Sequence, residues 1–202
     1  MLFIDKNGLI DAERITVKRF SSIERGELKK VNGIVVHQTN ASTSGSTFNS
    51  YQNKGANGAH FLIDKDGTIY QTASLYKVTW HVGKIQSRCF LTARCKPAEF
   101  KRIATLEKSW VNATEISRIE HKKSFPSRFP VNSDSIGIEI VGKSNAADSK
   151  EPVYEPVNDM QNESLKWLIQ ELSDMLNVPM TEVYRHPEIG RKNTTEASTA
   201  KW

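Results

Sequence analysis

Apolar residues fall along this chain in four patterns, each of which predicts an element. Residues 33–37 form a β-branched run, Gly-Ile-Val-Val, that closes on His37 and predicts a buried strand. Residues 59–64 (Ala-His-Phe-Leu-Ile-Asp) and 68–72 (Thr-Ile-Tyr-Gln-Thr) flank Lys65-Asp66-Gly67. An Asp-Gly turn between two such runs predicts a hairpin. Ile136, Ile138 and Ile140 alternate with Gly137 and Glu139, the period of a strand. Between Asn158 and Asn177 the apolar set is Leu165, Leu168, Ile169, Leu172, Met175 and Leu176. That spacing predicts an amphipathic helix ending near Asn177 and Pro179.

The remaining stretches are less regular. Residues 1–30 are polar and charged, an N-terminal arm with one short strand at Ile15-Thr16-Val17. Residues 40–57 are rich in Ser, Thr, Asn and Gly, with Phe48 and Tyr51 among them, and predict a loop with a short helix. Phe100, Ile103, Leu106, Trp110 and Ile116 recur mostly at three- or four-residue intervals, so part of 84–130 is helical. Strands mixed with one long helix point to an α/β layer fold. There is no internal repeat and no low-complexity linker; one domain over 31–202 after the arm is expected, and two small domains also fit the length.

Composition narrows the function classes. A chain of 202 residues, 38% hydrophobic, suffices for one core. A charged fraction of 25% with only 7 prolines argues against wholesale disorder. No apolar run approaches the roughly 18 residues that span a membrane. The start, Met1-Leu2-Phe3-Ile4-Asp5-Lys6, lacks the basic-then-apolar build of a signal peptide. Synthesis in the cytoplasm is therefore expected, with any action elsewhere reached by a signal-independent route.

The net charge of +5 suits an anionic partner: nucleic acid, a membrane surface or a bacterial wall. It is concentrated in 84–130, where eleven bases face four acids for a net +7. No helix-turn-helix and no aromatic stacking strand supports nucleic acid. Cys89 and Cys95 stand six residues apart without CxxC spacing; two free thiols and a local disulfide both fit.

Three distant segments carry candidate chemistry. His37 closes one strand, Glu139 sits between isoleucines on another, and the loop from Arg185 to Lys192 holds His186 and Lys192. Zinc hydrolases need neutral imidazoles for the metal, an acid/base group for the attacking water and a cation for the oxyanion. Each residue alone has a plainer role. A histidine ending a buried strand is commonly a hydrogen-bonded core residue, Glu139 fits an outward sheet face, and Lys192 fits a solvated loop. His60, mid-strand, belongs to the core and His121 to the surface.

Together the segments resemble the zinc-dependent N-acetylmuramoyl-L-alanine amidases. That family includes phage lysozyme-type amidases, bacterial wall-recycling amidases and animal peptidoglycan recognition proteins. Gly33 to Thr39 resembles its first strand and zinc histidine; Gly58 to Ile69, its central hairpin; Trp80-His81-Val82-Gly83, its substrate-cleft segment. Ser135 to Gly142 resembles the strand bearing the catalytic glutamate of recycling-type members, and His186 to Lys192 the second zinc histidine and catalytic lysine. The resemblance implies a mixed central sheet flanked by helices, with a surface zinc cleft. It implies His37, His186 and a carboxylate on Zn²⁺, Glu139 and Lys192 as catalytic residues, and Trp80 and His81 against substrate.

Two departures stand out. The segment from Gly83 to Asn132 is long for the family, so its basic region, about 84–130, looks like an insertion. The usual third-ligand position falls on Thr194, a poor zinc ligand; the Lys-Asn-x-Thr-Glu-Ala-Ser pattern of some relatives implies Glu196 instead. Ala59 stands where some relatives carry a catalytic tyrosine, which shifts the acid/base burden to Glu139.

The activity implied is hydrolysis of the amide between N-acetylmuramic acid and L-alanine in peptidoglycan. A non-catalytic muropeptide-binding module on the same fold is the alternative, kept open by Thr194 and opposed by Glu139 and Lys192. The setting implied is a phage endolysin, a recycling enzyme or an antibacterial effector of a type VI-like secretion machine. The insertion and tail lean towards the effector, which acts in a target bacterium's periplasm and requires a cognate immunity protein.

Overall fold

The computed structural model describes residues 2–145 and 151–202. In chain order the strands and helices begin with β1 (Phe3–Ile4), β2 (Ile10–Asp11), β3 (Ile15–Val17), β4 (Glu24–Glu27), β5 (Gly33–Gln38) and α1 (Ser44–Tyr51). Then come β6 (Phe61–Ile63), β7 (Ile69–Gln71), β8 (Lys77–Thr79), α2 (Arg88–Leu91), α3 (Pro97–Glu107) and α4 (Ala113–His121). The chain continues through β9 (Ser135–Ile140), β10 (Ser144–Asn145), β11 (Val153–Tyr154), α5 (Asp159–Leu176), β12 (Val183–Arg185) and α6 (His186–Ile189).

Six strands make the central sheet in the order β12, β5, β9, β6, β7, β3. All neighbours are parallel except β6 and β7, the antiparallel hairpin the sequence predicts. Its turn reaches φ +84° at Gly67, where a side chain would be strained. The fold is thus α/β, a mixed sheet with helices around it.

The sheet has two unlike faces, because successive side chains of a strand point opposite ways. One face carries Ile34, Val36, Phe61, Ile63, Ile136, Ile138 and Ile140, packed with Leu165, Leu168, Ile169 and Leu172 of α5. All eleven side chains are buried at 1% exposure or less, so truncating Ile138 to Ala should cost roughly 2–5 kcal/mol. Asn158 caps α5 through a reciprocal pair with Gln161, and Asn177 ends it in the left-handed conformation. The helix therefore runs where its apolar period and its caps agree.

The first thirty residues hold more structure than their polar pattern suggests. Besides β3, which forms one edge of the sheet, they contain β1, β2 and β4. Leu2, Ile10, Ile15 and Leu28 enter the main core. Strands of two to four residues leave too short a periodic trace to read from sequence.

The basic segment folds as α2, α3 and α4. It is anchored to the domain by Arg88, whose guanidinium pairs with Glu182 at 2.6 Å, and by Arg191 on Glu107 at 2.5 Å. Cys89 and Cys95 form a disulfide, which corrects the two-thiol alternative. The bridge ties α2 to the start of α3.

Candidate active site

The second face of the sheet carries the candidate site residues. In the parallel pairing of β5 with β9, His37 lies directly opposite Glu139. Both side chains leave the same face, one strand spacing apart, about 4.8 Å. In β12, Arg185 pairs with Val36, so His186, the next residue, arrives level with His37. Val35 continues that face into a second apolar cluster with Val82, Ile85, Phe129, Val131 and Ile189, which buries the back of the site.

His37 Nδ1 lies 2.8 Å from His186 Nδ1, and Glu196 Oε1 lies 3.1 Å from His186 Nδ1 and 3.5 Å from His37 Nδ1. Three donor atoms thus converge, from residues 4%, 2% and 5% exposed. His186 Nε2 donates to the Val82 carbonyl at 2.7 Å; since a carbonyl only accepts, the neutral ring has its lone pair on Nδ1, toward the trio. Burial, then the neighbouring His186, holds His37 down to about 4. Burial would raise Glu196, but the His186 and His37 side chains beside it outweigh that and hold the carboxyl down at about 2. Neutral imidazole and ionised carboxylate are the forms a divalent metal requires. Two histidines and one carboxylate match a catalytic zinc set, which leaves a fourth position free.

A cleft of about 330 Å³ opens onto this trio and brings Trp80, His81, Glu139, Tyr154 and Lys192 to the same mouth. A larger groove, about 700 Å³, lies among Leu28, Phe125, Met175 and Pro179 and contains no histidine, so size does not locate the chemistry. Glu139 is pushed up to about 7, mainly by burial, with the charge of Glu196 adding to it. Tyr51, at the end of α1, lies beside Glu139 and opposes that rise, and its hydroxyl oxygen accepts the Ala59 amide at 3.3 Å.

Every residue read from sequence as a site residue lines this cleft: His37, Glu139, His186, Lys192, Glu196, Trp80 and His81. Trp80 is half exposed at the rim. His81 differs in that both ring nitrogens have protein partners, His37 Nε2 at 3.0 Å and Ser135 Oγ at 3.2 Å. Thr194 is exposed and outside the donor trio, and Glu188 is held by Arg185 at 3.1 Å. His60 is buried, its Nε2 on the Lys77 carbonyl and its Nδ1 accepting the Gly137 amide.

Sequence reasoning missed Tyr51 as a site residue. The available signal was an aromatic pair, Phe48 and Tyr51, three apart in an otherwise polar stretch. On the helix α1 they share a face, and both are buried.

Residues 27–198 match the family model described as N-acetylmuramoyl-L-alanine amidase. No curated protein matches the chain. Among solved structures, the fold is similar to that of PlyL, with TM-score 0.52 and 14% identity over 88% of this chain and 84% of that one. A Se-Met AmpD derivative gives TM-score 0.53 and 17% identity over 93% and 87%. AmpDh3 from Pseudomonas aeruginosa gives TM-score 0.53 and 21% identity over 95% of this chain and 60% of its own. At these identities the structures speak for the fold, and the family rests on a match covering most of the chain: this protein belongs to the N-acetylmuramoyl-L-alanine amidase family.

Proposed function

We propose that this chain is a zinc-dependent hydrolase that cuts the amide between the lactyl group of N-acetylmuramic acid and L-alanine in peptidoglycan. One observation carries the proposal: His37, His186 and Glu196 converge at a cleft that also presents Glu139 and Lys192. His37, His186 and Glu196 would hold the metal, which, when bound, supplies Lewis-acid polarisation and lowers the pKa of water. Glu139 takes the proton of the attacking water and returns it to the leaving amine. The burial that raises it places it near neutrality, where a carboxyl both accepts and donates. Tyr51, packed beside that carboxyl, would help to hold it in place. Lys192 offers its ammonium to the oxyanion, and Trp80 and His81 line the substrate side.

The non-catalytic alternative loses its main support in this proposal. It rested on Thr194, and Glu196 stands where a third donor is needed. The purified chain should hold about one equivalent of zinc, and His37→Ala should lose it. Full activity in a preparation shown by elemental analysis to be metal-free would overturn the zinc assignment.

The setting we propose is export or release to a bacterial wall, as an antibacterial effector or an endolysin. The Cys89–Cys95 disulfide supports an oxidising destination. An effector of this kind requires an immunity protein, which would plug the cleft. Within the domain over 31–202, the insertion at 84–130 would engage the polymeric wall. Lys123 and Arg128 are committed internally, to Glu120 and Glu99 and to Asp134 respectively. The bases for wall contact are then exposed ones such as Lys101, Lys108 and Lys122. Replacing these three by Gln should weaken sacculus binding and flatten its salt dependence, while cleavage of a small soluble muropeptide changes by less than about twofold. Equal losses on both substrates would refute the separation.

A further inference from the structure

We propose that His81 is a positioning residue that fixes His37 in the tautomer whose Nδ1 faces the metal, and that Ser135 fixes His81 in turn. The inference rests on the proposal that His37 is a zinc ligand.

The direction of each hydrogen bond follows from the far end of the chain of contacts. The Val131 carbonyl accepts the Ser135 hydroxyl proton at 2.7 Å. A hydroxyl has one proton, so the 3.2 Å contact between Ser135 Oγ and His81 Nε2 has the ring nitrogen donating. With its hydrogen on Nε2, the neutral His81 ring accepts at Nδ1. The partner of that Nδ1 is His37 Nε2 at 3.0 Å, which must carry the hydrogen. A neutral His37 with its hydrogen on Nε2 has its lone pair on Nδ1, which is the atom beside His186 and Glu196. Reversing any one bond would put the hydrogen of His37 on Nδ1 and block the metal.

The place for His81 is built by one segment of chain. The side chain of Asn132 accepts the backbone amides of His81 at 2.9 Å and Val82 at 2.8 Å. Gly137 leaves the space the ring fills: a Cβ there would lie 2.8 Å from both Cγ and Nδ1 of His81. Asn132, Ser135 and Gly137 thus clamp the backbone, the far nitrogen and the face of one imidazole. Outer partners of this type commonly affect metal affinity 10–100-fold. His186 reaches the same end differently, through the Val82 carbonyl, one residue from His81.

The test uses full-length chain stripped of metal and back-titrated with zinc against a chromophoric chelator. His81→Phe should weaken zinc binding about 10–100-fold, and Ser135→Ala should weaken it by a smaller factor. Nitrogen-15 spectra of the metal-free wild type should show His37 protonated at Nε2, and Ser135→Ala should populate the Nδ1–H form. Wild-type zinc affinity in folded His81→Phe, or an Nδ1–H His37 in the wild type, would overturn the proposal. If His81→Phe fails to fold, the wild-type spectrum and Ser135→Ala decide alone. A wild type that binds no zinc removes both this inference and the proposed function; a zinc-binding wild type with an unaffected variant removes only this one.

Discussion

Glu139→Gln is expected to keep the fold and the zinc content while turnover falls by about 10²–10⁴-fold. The substitution preserves size, but it removes the group proposed to take the proton from water. Lys192→Ala should lose turnover on a similar scale, through the oxyanion, whereas Trp80→Ala should act on KM.

The same Glu139 variant has a stability signature with a definite sign. Burial raises the folded carboxyl from the ordinary 4.5 to about 7. In the metal-free chain the folded state therefore holds a proton that the unfolded state has lost between those values. The wild type should lose stability, relative to Glu139→Gln, as pH rises from about 4.5 through 7, and level off above. At pH 8 the variant should be more stable by on the order of 1–3 kcal/mol. His37 and His60, both held at about 4 chiefly by burial, act oppositely between 4 and 6.5, but they are common to both proteins and cancel in the difference. Chemical denaturation of both proteins at pH 5 and pH 8 checks it. Near wild-type turnover, with no pH-dependent gap in stability, would make Glu139 an ordinary strand residue.

Glu196→Ala should weaken zinc binding by more than the roughly 10–100-fold typical of outer partners, and Thr194→Ala should leave it unchanged. The contrast follows from placement: Glu196 is 5% exposed and aimed at two histidines, whereas Thr194 faces solvent. With Glu196 gone, two neutral imidazoles would face a divalent cation with no compensating anion. In zinc-bound protein the Glu196 oxygen should lie about 2.0–2.2 Å from the ion. A metal-bound structure with Glu196 turned to solvent would overturn the assignment, as would zinc loss in Thr194→Ala alone.

What the sequence made legible is the part governed by local period. β5, the β6–β7 hairpin, β9 and α5 each repeat an apolar pattern over several residues, and each lies where that pattern predicts. His37 and Glu139 were legible because they end or interrupt such patterns. Their placement side by side was not, since it depends on the register of two strands a hundred residues apart. Tyr51 escaped notice for a related reason: its side chain comes beside Glu139 only because α1 packs over the sheet face. The pairing of Lys123 and Arg128 with acids was hidden as well. A charge count gives the sign of a surface and not which bases are already held. The disulfide lay between, since six-residue spacing permits it without requiring it.

The reaction proposed for this chain is a zinc-dependent cut at the N-acetylmuramoyl–L-alanine bond. Digesting purified sacculi with the chain, with chelator and then with zinc restored, and identifying products by mass spectrometry tests it most directly. Intact stem peptides with a free L-alanine amino terminus, alongside glycan strands bearing the free lactyl carboxylate, should appear, vanish with chelator and return with zinc. Products cleaved elsewhere in the stem or the glycan, or release unaffected by chelation, would contradict it.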